Sequence, residues 1–245
     1  MKNMKYEAEL RAMWIANLIK DSGTNGVVLG FSGGKDSAVV AALCKKAGVR
    51  LYGLVMPMGN SEEDARLAHV LGKHLEMDDL VFDIDMLDDL LGVYADVFHW
   101  GETGIEGPDK VTVGNLKARI RMTILYSYAN QHNLLVAGTG NKSEYIMGYF
   151  TKWGDGACDF NPISDLTWTE VHKLGKELGI PEEILSRPSS AGLWPGQTDE
   201  EEMGVTYQEI DRYLAGKSIS EESWKIIQKH INRSQHKRRG IKTYR

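Results

Sequence analysis

The stretch VVLGFSGGKDSAVVAAL, residues 27–43, constrains the fold more than any other part of the chain. A β-branched apolar run of the kind buried on both faces of a parallel sheet stops at two adjacent glycines. The chain then passes Lys35, Asp36 and Ser37 and resumes with helical spacing. A strand that turns through bare backbone into a helix brings main-chain N–H groups to a helix start with no Cβ in the way.

The same alternation recurs along the chain. Apolar spacing predicts a helix over 6–21, stopped by DSGTNG at 21–26. A second strand is expected at 50–58, and a helix at 61–75 with Ser61 as its N-cap and Asp64 three residues on. A third strand falls at 79–85, a short helix at 86–95, a surface loop at HWGETGIEGPDK (99–110) and a helix at about 113–131. NLLVAGTGNKSE, 133–144, reads as another strand that runs into a glycine turn. This order predicts an α/β fold, a doubly wound parallel sheet flanked by helices, whose ligands sit at the carboxyl ends of the strands. Both glycine turns fall at such ends. Short helices near 169–179, 181–186 and 207–232 follow, with a loop at 187–204, and no linker separates them, so residues 1–245 are expected to form one domain.

Composition narrows the class. Hydrophobic content of 42% with 26% charged residues is the balance of a globular protein. No apolar stretch approaches the roughly 20 residues of a membrane span. The start, MKNMKYEAELRAMW, is amphipathic and carries acids, unlike a signal peptide. Cys44 and Cys158 are too few for a disulfide framework or a zinc cluster, and a cytoplasmic protein is expected. A net charge of −5 argues against a nucleic-acid partner. The basic end HKRRGIKTYR (236–245) reads either as a solvated tail or as an arm that reaches a phosphorylated ligand.

Two familiar phosphate loops fail on spacing. G-x-x-x-x-G-K-[ST] fails because Gly30 stands too close to Gly34 and Lys35 is followed by Asp36, and G-x-G-x-x-G does not occur. What remains is strand, Ser-Gly-Gly-x-Asp-Ser, helix. Its glycines and serines suit an anion at a helix start. Asp36 would repel phosphate unless a divalent cation such as Mg²⁺ lay between them. The competing reading is an N-cap turn with structural glycines.

The SGGKDS loop resembles that of the ATP pyrophosphatases, which attack the α-phosphate of ATP with a substrate oxygen and expel pyrophosphate. Further segments narrow the likeness: NLKARIRM (115–122), GTGNKSEYIMGYFTKWGDGACDFNPISDL (138–166), PSSAGLWPGQTDEEEMG and HKRRG. In this order, across nearly the whole chain, they are similar to the ammonia-dependent NAD synthetases. The resemblance implies a Rossmann-like adenine nucleotide alpha-hydrolase fold and a homodimer. It also implies amidation of deamido-NAD⁺ with ammonia and ATP, through an adenylated intermediate, to give NAD⁺, AMP and pyrophosphate.

Carried over by position, it implies that Gly30, Phe31, Ser32, Gly33, Gly34, Lys35, Asp36 and Ser37 bind ATP with Thr139 and Ser190. Asp36 and Glu144 would hold Mg²⁺. Arg119, Lys152, Asp159, His236 and Lys237 would bind deamido-NAD⁺, which turns the basic tail into ligand groups, and Asp155 would take the ammonium and its proton. Two positions depart from the family. Trp168 stands where a lysine commonly reaches the ATP phosphates, leaving Lys35 or Lys142 to compensate, and Ser190 stands where threonine is frequent.

Rival readings are an amidating ATP pyrophosphatase of the GMP synthetase type, which should lack the TKWGDG and GLWPGQTDEE segments, and a non-catalytic nucleotide-binding module. The spaced carboxylates Asp36 and Glu144 speak against the second. Free ammonia is the expected nitrogen donor, since no glutaminase domain is expected within these 245 residues. His69, His74, His132, His172 and His230 show no metal spacing, and Trp153 and Trp194 read equally as loop covers or as core.

Overall fold

The structure is a computed structural model that describes residues 2–57, 62–77, 81–83, 89, 92–94, 96, 108–194 and 196–244. Its centre is β1 (Val27–Gly30), which pairs in parallel with β2 (Leu51–Val55) on one side and with β4 (Leu135–Val136) on the other. β3 (Val81–Asp83) lies outside β2, so the strand order is β3-β2-β1-β4. The chain builds outward from β1 in one direction and then adds β4 on the opposite flank. The crevice between β1 and β4, at their carboxyl ends, is therefore the topological switch point where doubly wound sheets bind ligands.

Strand alternation decides which helices cover which face. Val27 and Leu29 pack with α1 (Met4–Ser22), α2 (Lys35–Lys46) and α6 (Trp168–Glu177) through Ile15, Val39, Leu43 and Val171. Val28, Leu54 and Val136 point the other way, onto Ile120 and Leu125 of α4 (Lys110–His132). Both faces of the sheet are covered, which is why the strands read as continuous apolar runs. α1 buries Ala8, Ala12, Ile15 and Ile19 at helical spacing and ends at Gly23, whose φ of 65° is the left-handed C-cap that DSGTNG predicts. Arg11 fixes α1 to the chain before α6, donating to Asp165 at 2.6 Å and to the Pro162 carbonyl at 2.5 Å.

The later helices are α5 (Lys142–Met147), α7 (Glu182–Leu185), α8 (Asp199–Met203), α9 (Tyr207–Leu214), α10 (Glu221–Arg233) and α11 (Gln235–Arg238). Met147, Met203, Tyr207, Ile210 and Ile227 form their shared core. Asp211 joins this group to the sheet side, accepting from the Ser143 hydroxyl at 2.6 Å and from the Thr169 N–H at 2.8 Å.

Two expectations change. The helix expected over 207–232 is split into α9 and α10, because Gly216 turns left-handed at φ 67° and Ser220 caps a new helix by accepting from the Ser223 N–H. The strand expected over 133–144 shortens to Leu135–Val136. Beyond it the Gly138 N–H donates to the Phe160 carbonyl at 2.8 Å, so a distant irregular segment continues the sheet edge. The expected cap Ser61, most of the helix at 86–95 and most of the loop at 99–110 lie outside the described residues. Asp109, near the end of that loop, caps α4 by accepting from the Thr112 N–H at 2.7 Å. Among the described residues, no helix is long and apolar enough to cross a membrane.

Candidate active site

The first lip of the crevice is the glycine turn. The Phe31 N–H donates to the Leu54 carbonyl at 2.8 Å, so the chain stays in the sheet through Phe31 and then leaves it abruptly. Gly33 has φ 71°, and a Cβ there would lie 2.5 Å from the Asp64 carbonyl oxygen of α3 (Glu62–His74). This glycine lets the turn press against α3 and does not itself line the crevice. Gly34 is the N-cap of α2 and supplies no capping side chain. The first turn of α2 thus presents its N–H groups and the positive end of its dipole to the crevice. The Ser32 and Ser37 hydroxyls lie 3.0 Å apart beside it.

The second lip follows β4. Asn141 caps α5 by accepting from the Glu144 N–H at 3.0 Å, while the Glu144 carboxylate accepts from the Asn141 N–H at 2.9 Å, a reciprocal capping box. The Asn141 side chain also donates to Asp36 at 3.3 Å, which draws the two carboxylates expected to hold Mg²⁺ together across the switch point. Burial, and then the charge of Asp36, push the Glu144 carboxyl well above its ordinary range.

Between the lips lies a cleft of about 510 Å³. The structure brings Gly30, Phe31, Ser32, Gly34, Lys35, Asp36, Ser37, Thr139, Glu144, Asp155, Ser190 and Lys237 to its wall. Asp155 accepts from the Thr151 N–H at 2.9 Å. Its residue stays open to solvent along the wall, yet the protein crowded around its carboxylate pushes that group above its ordinary range. Lys237 feels its charge and donates to the Gly148 and Phe150 carbonyls at 2.8 and 2.5 Å, so it also fastens the turn before Asp155.

Besides Gly33, four expected residues lie off that wall. Arg119 donates to the Lys152 carbonyl at 3.3 Å and Lys152 to the His236 carbonyl at 3.2 Å, forming a basic group of their own. Asp159 accepts from the Val136 N–H at 2.8 Å and the Tyr126 hydroxyl at 3.1 Å, a sheet-edge role.

The sequence left several wall residues unassigned. Arg121, two residues from Arg119 and so on another helix face, lines the cleft and donates to the Met56 carbonyl at 3.3 Å. Asp199 is 3% exposed and accepts from the Tyr207 hydroxyl at 2.8 Å, while its Oδ1 has no hydrogen-bond partner among the described residues. Burial raises its carboxyl. The run TDEEE gave the signal for an acid here, but not which of its four acids turns inward. Ser189, the neighbour of Ser190, lines the cleft and accepts from both Lys35 and the Trp168 ring N–H, at 3.1 and 2.9 Å. Of the two lysines expected to compensate for Trp168, Lys35 is on the wall, whereas Lys142 is exposed and off it.

Among the described residues, no group of three or more His, Cys, Asp or Glu is placed to hold a metal ion. His230 reaches the cleft and donates to the Met203 carbonyl at 3.1 Å. Trp194 lines the cleft against the start of α4, whereas Trp153 is 60% exposed with φ 65°.

The described family NAD synthase matches residues 7–240. The chain belongs to the NAD synthase family. It is 41% identical over 238 residues to the NH(3)-dependent NAD(+) synthetase of Carboxydothermus hydrogenoformans, covering 97% of this chain and 96% of that one. In three dimensions it is similar to the NMN synthetase of Francisella tularensis, with a TM-score of 0.92, 39% identity and coverage of 100% and 99%. It is also similar to the NH3-dependent NAD synthetase of Campylobacter jejuni, with a TM-score of 0.80, 29% identity and full coverage of both chains. As a member of the NAD synthase family the chain is a ligase that forms a C–N bond and uses ATP.

Proposed function

We propose that this cleft amidates deamido-NAD⁺ with ammonia in two half-reactions, and that one domain spanning the chain carries both. The observation that carries the reading is the convergence of the glycine turn, the Asp36–Glu144 pair and Asp155 on one crevice at the switch point. In the first half-reaction the nicotinate carboxylate attacks the α-phosphorus of ATP and pyrophosphate leaves. Residues 30–37, Thr139 and Ser190 would bind the nucleotide. The N–H groups of the first turn of α2 are fixed donors for the leaving phosphates, and such donors need no reorganisation as charge develops.

Asp36 and Glu144 fit a divalent cation: burial, and then the charge of Asp36, raise the Glu144 carboxyl, and a cation between the two would favour their charged forms. Mg²⁺ bound there would neutralise phosphate charge during transfer. In the second half-reaction ammonia attacks the acyl carbon and AMP leaves. Asp155 would hold the incoming ammonium and accept its proton. Lys237 would orient the acid substrate. Arg119, Lys152, Asp159 and His236, off the wall, would serve the distal part of that substrate, with a second copy of the chain completing their surface in a homodimer. Such an enzyme would work in the cytoplasm.

A second reading has its own support. The NMN synthetase of Francisella tularensis superposes at 0.92, against 0.80 for the NAD synthetase of Campylobacter jejuni. Its name implies a mononucleotide amide as product, so nicotinate mononucleotide is the alternative acid. Pyrophosphate release is measured with ATP, Mg²⁺, ammonium and each acid in turn. A kcat/KM higher for deamido-NAD⁺ supports the first reading, one higher for the mononucleotide replaces it with the second, and release with neither removes both.

A further inference from the structure

Lys35 is a buried lysine whose ion pair is long. Its side chain is 2% exposed, its polar contacts among the described residues are the Ser189 hydroxyl at 3.1 Å and Asp36 at 3.9 Å, and it also feels the Glu144 carboxylate. Burial of a cation on those terms is costly, and its place in the first turn of α2, at the positive end of the dipole, adds to the cost. What holds it is aromatic. Nζ stands 4.1 Å from the centre of the Trp168 ring and 5.8 Å from that of Tyr207, and those rings stack 5.3 Å apart at 12°.

The arrangement is fixed from behind. The Trp168 ring N–H donates to Ser189 at 2.9 Å, so Ser189 accepts from both Trp168 and Lys35 and keeps its own proton for a further acceptor. The Trp168 N–H donates to the Ser143 hydroxyl at 3.0 Å, and Tyr207 donates to Asp199. Lys35 and Ser189 both belong to the cleft wall beside the glycine turn.

From this geometry we infer that Lys35 is the cation that takes up the charge of the leaving pyrophosphate. Trp168 and Ser189 are the positioning residues that hold it there. The π face supports the ammonium without neutralising it, and the Asp36 carboxylate stands as far off as 3.9 Å, so the charge can turn to an incoming anion. The indole thus contributes to phosphate binding although it carries no charge of its own. This rests on the reading of the cleft as an ATP pyrophosphatase site.

The test is calorimetric titration of magnesium pyrophosphate into the intact protein and into K35M, K35Q, W168L, W168F and K35M/W168L, alongside steady-state KM values. Loss of a charged hydrogen-bond donor predicts about 10–100-fold weaker pyrophosphate binding in K35M and a matching rise in KM for ATP, with KM for the acid unchanged. Loss of the π face predicts about 2–10-fold weaker binding in W168L. W168F, which keeps a ring, should lose less. The double variant should be no weaker than K35M, because Trp168 acts only through Lys35. K35Q gives the same comparison if K35M does not fold.

Wild-type pyrophosphate affinity in K35M or K35Q, or a W168L loss that multiplies onto that of K35M, overturns the inference. If the wild type releases no pyrophosphate with either acid, the functional reading fails instead, and the titrations still report on Lys35.

Discussion

The Asn141 side chain donates to Asp36 across the switch point at 3.3 Å while its own oxygen caps α5. One fully buried amide therefore sets both the start of a helix and the position of a carboxylate. N141A should lower stability by about 1–2 kcal/mol through the lost cap. N141D keeps the cap but adds charge beside Asp36 and Glu144. It should lower the Mg²⁺ concentration needed for half-maximal activity, because added negative charge beside the pair favours the cation, with a smaller change in the urea midpoint than N141A. Urea melts and Mg²⁺ titrations of both variants check this.

Gly33 is required by packing. At φ 71°, with a Cβ that would fall 2.5 Å from the Asp64 carbonyl, Gly33→Ala should cost about 1–3 kcal/mol and displace the turn from α3. Urea denaturation gives the stability, and KM for ATP should rise in the same variant. An unchanged melt would remove the packing role.

Asp155 should show a trade-off between stability and activity. Its carboxyl is raised, so the folded state holds that proton more tightly than the unfolded chain does. Its contribution to stability therefore falls as pH rises above the ordinary aspartate range of 3.8 through the folded value. D155N removes that slope, and at neutral pH it should be at least as stable as the wild type. Its ammonia-dependent rate should fall about 100-fold or more. Melts across pH with parallel rates separate the two effects.

The ion pair of Arg11 with Asp165 runs the other way. Hydrogen bonding to Arg11 lowers the Asp165 carboxyl to about 2 from 3.8. Its contribution is present above 3.8 and is lost as pH falls from there toward about 2. The Asp165 side chain is 58% exposed, so solvent screening limits the pair and D165N should cost only about 0.5–1 kcal/mol at pH 7. That difference should shrink in melts near pH 2.5.

Much of the fold was legible because its signals are local. The β1–α2 turn, the Gly23 stop and the paired helix faces follow from periodicity and cap chemistry over a few residues. The break at Gly216 and Ser220 carried both its signals in the sequence. The shortened β4 could not be read locally, since its partner at Phe160 is distant in the chain. In the site, motif positions located the glycine turn and the carboxylates. Asp199, Arg121 and the seat of Lys35 depended on which side of a helix or loop turns inward, and that is decided by tertiary packing. Trp168 looked like a missing cation, and only its stacking under Lys35 gives it a role.

The most direct test of the account follows oxygen. Deamido-NAD⁺ labelled with ¹⁸O in its nicotinate carboxylate is turned over with ATP, Mg²⁺ and ammonium, and the products are separated by mass. Attack of that carboxylate on the α-phosphorus predicts one labelled oxygen in AMP and unlabelled pyrophosphate. Label in inorganic phosphate with ADP formed, or AMP released without label, would contradict it.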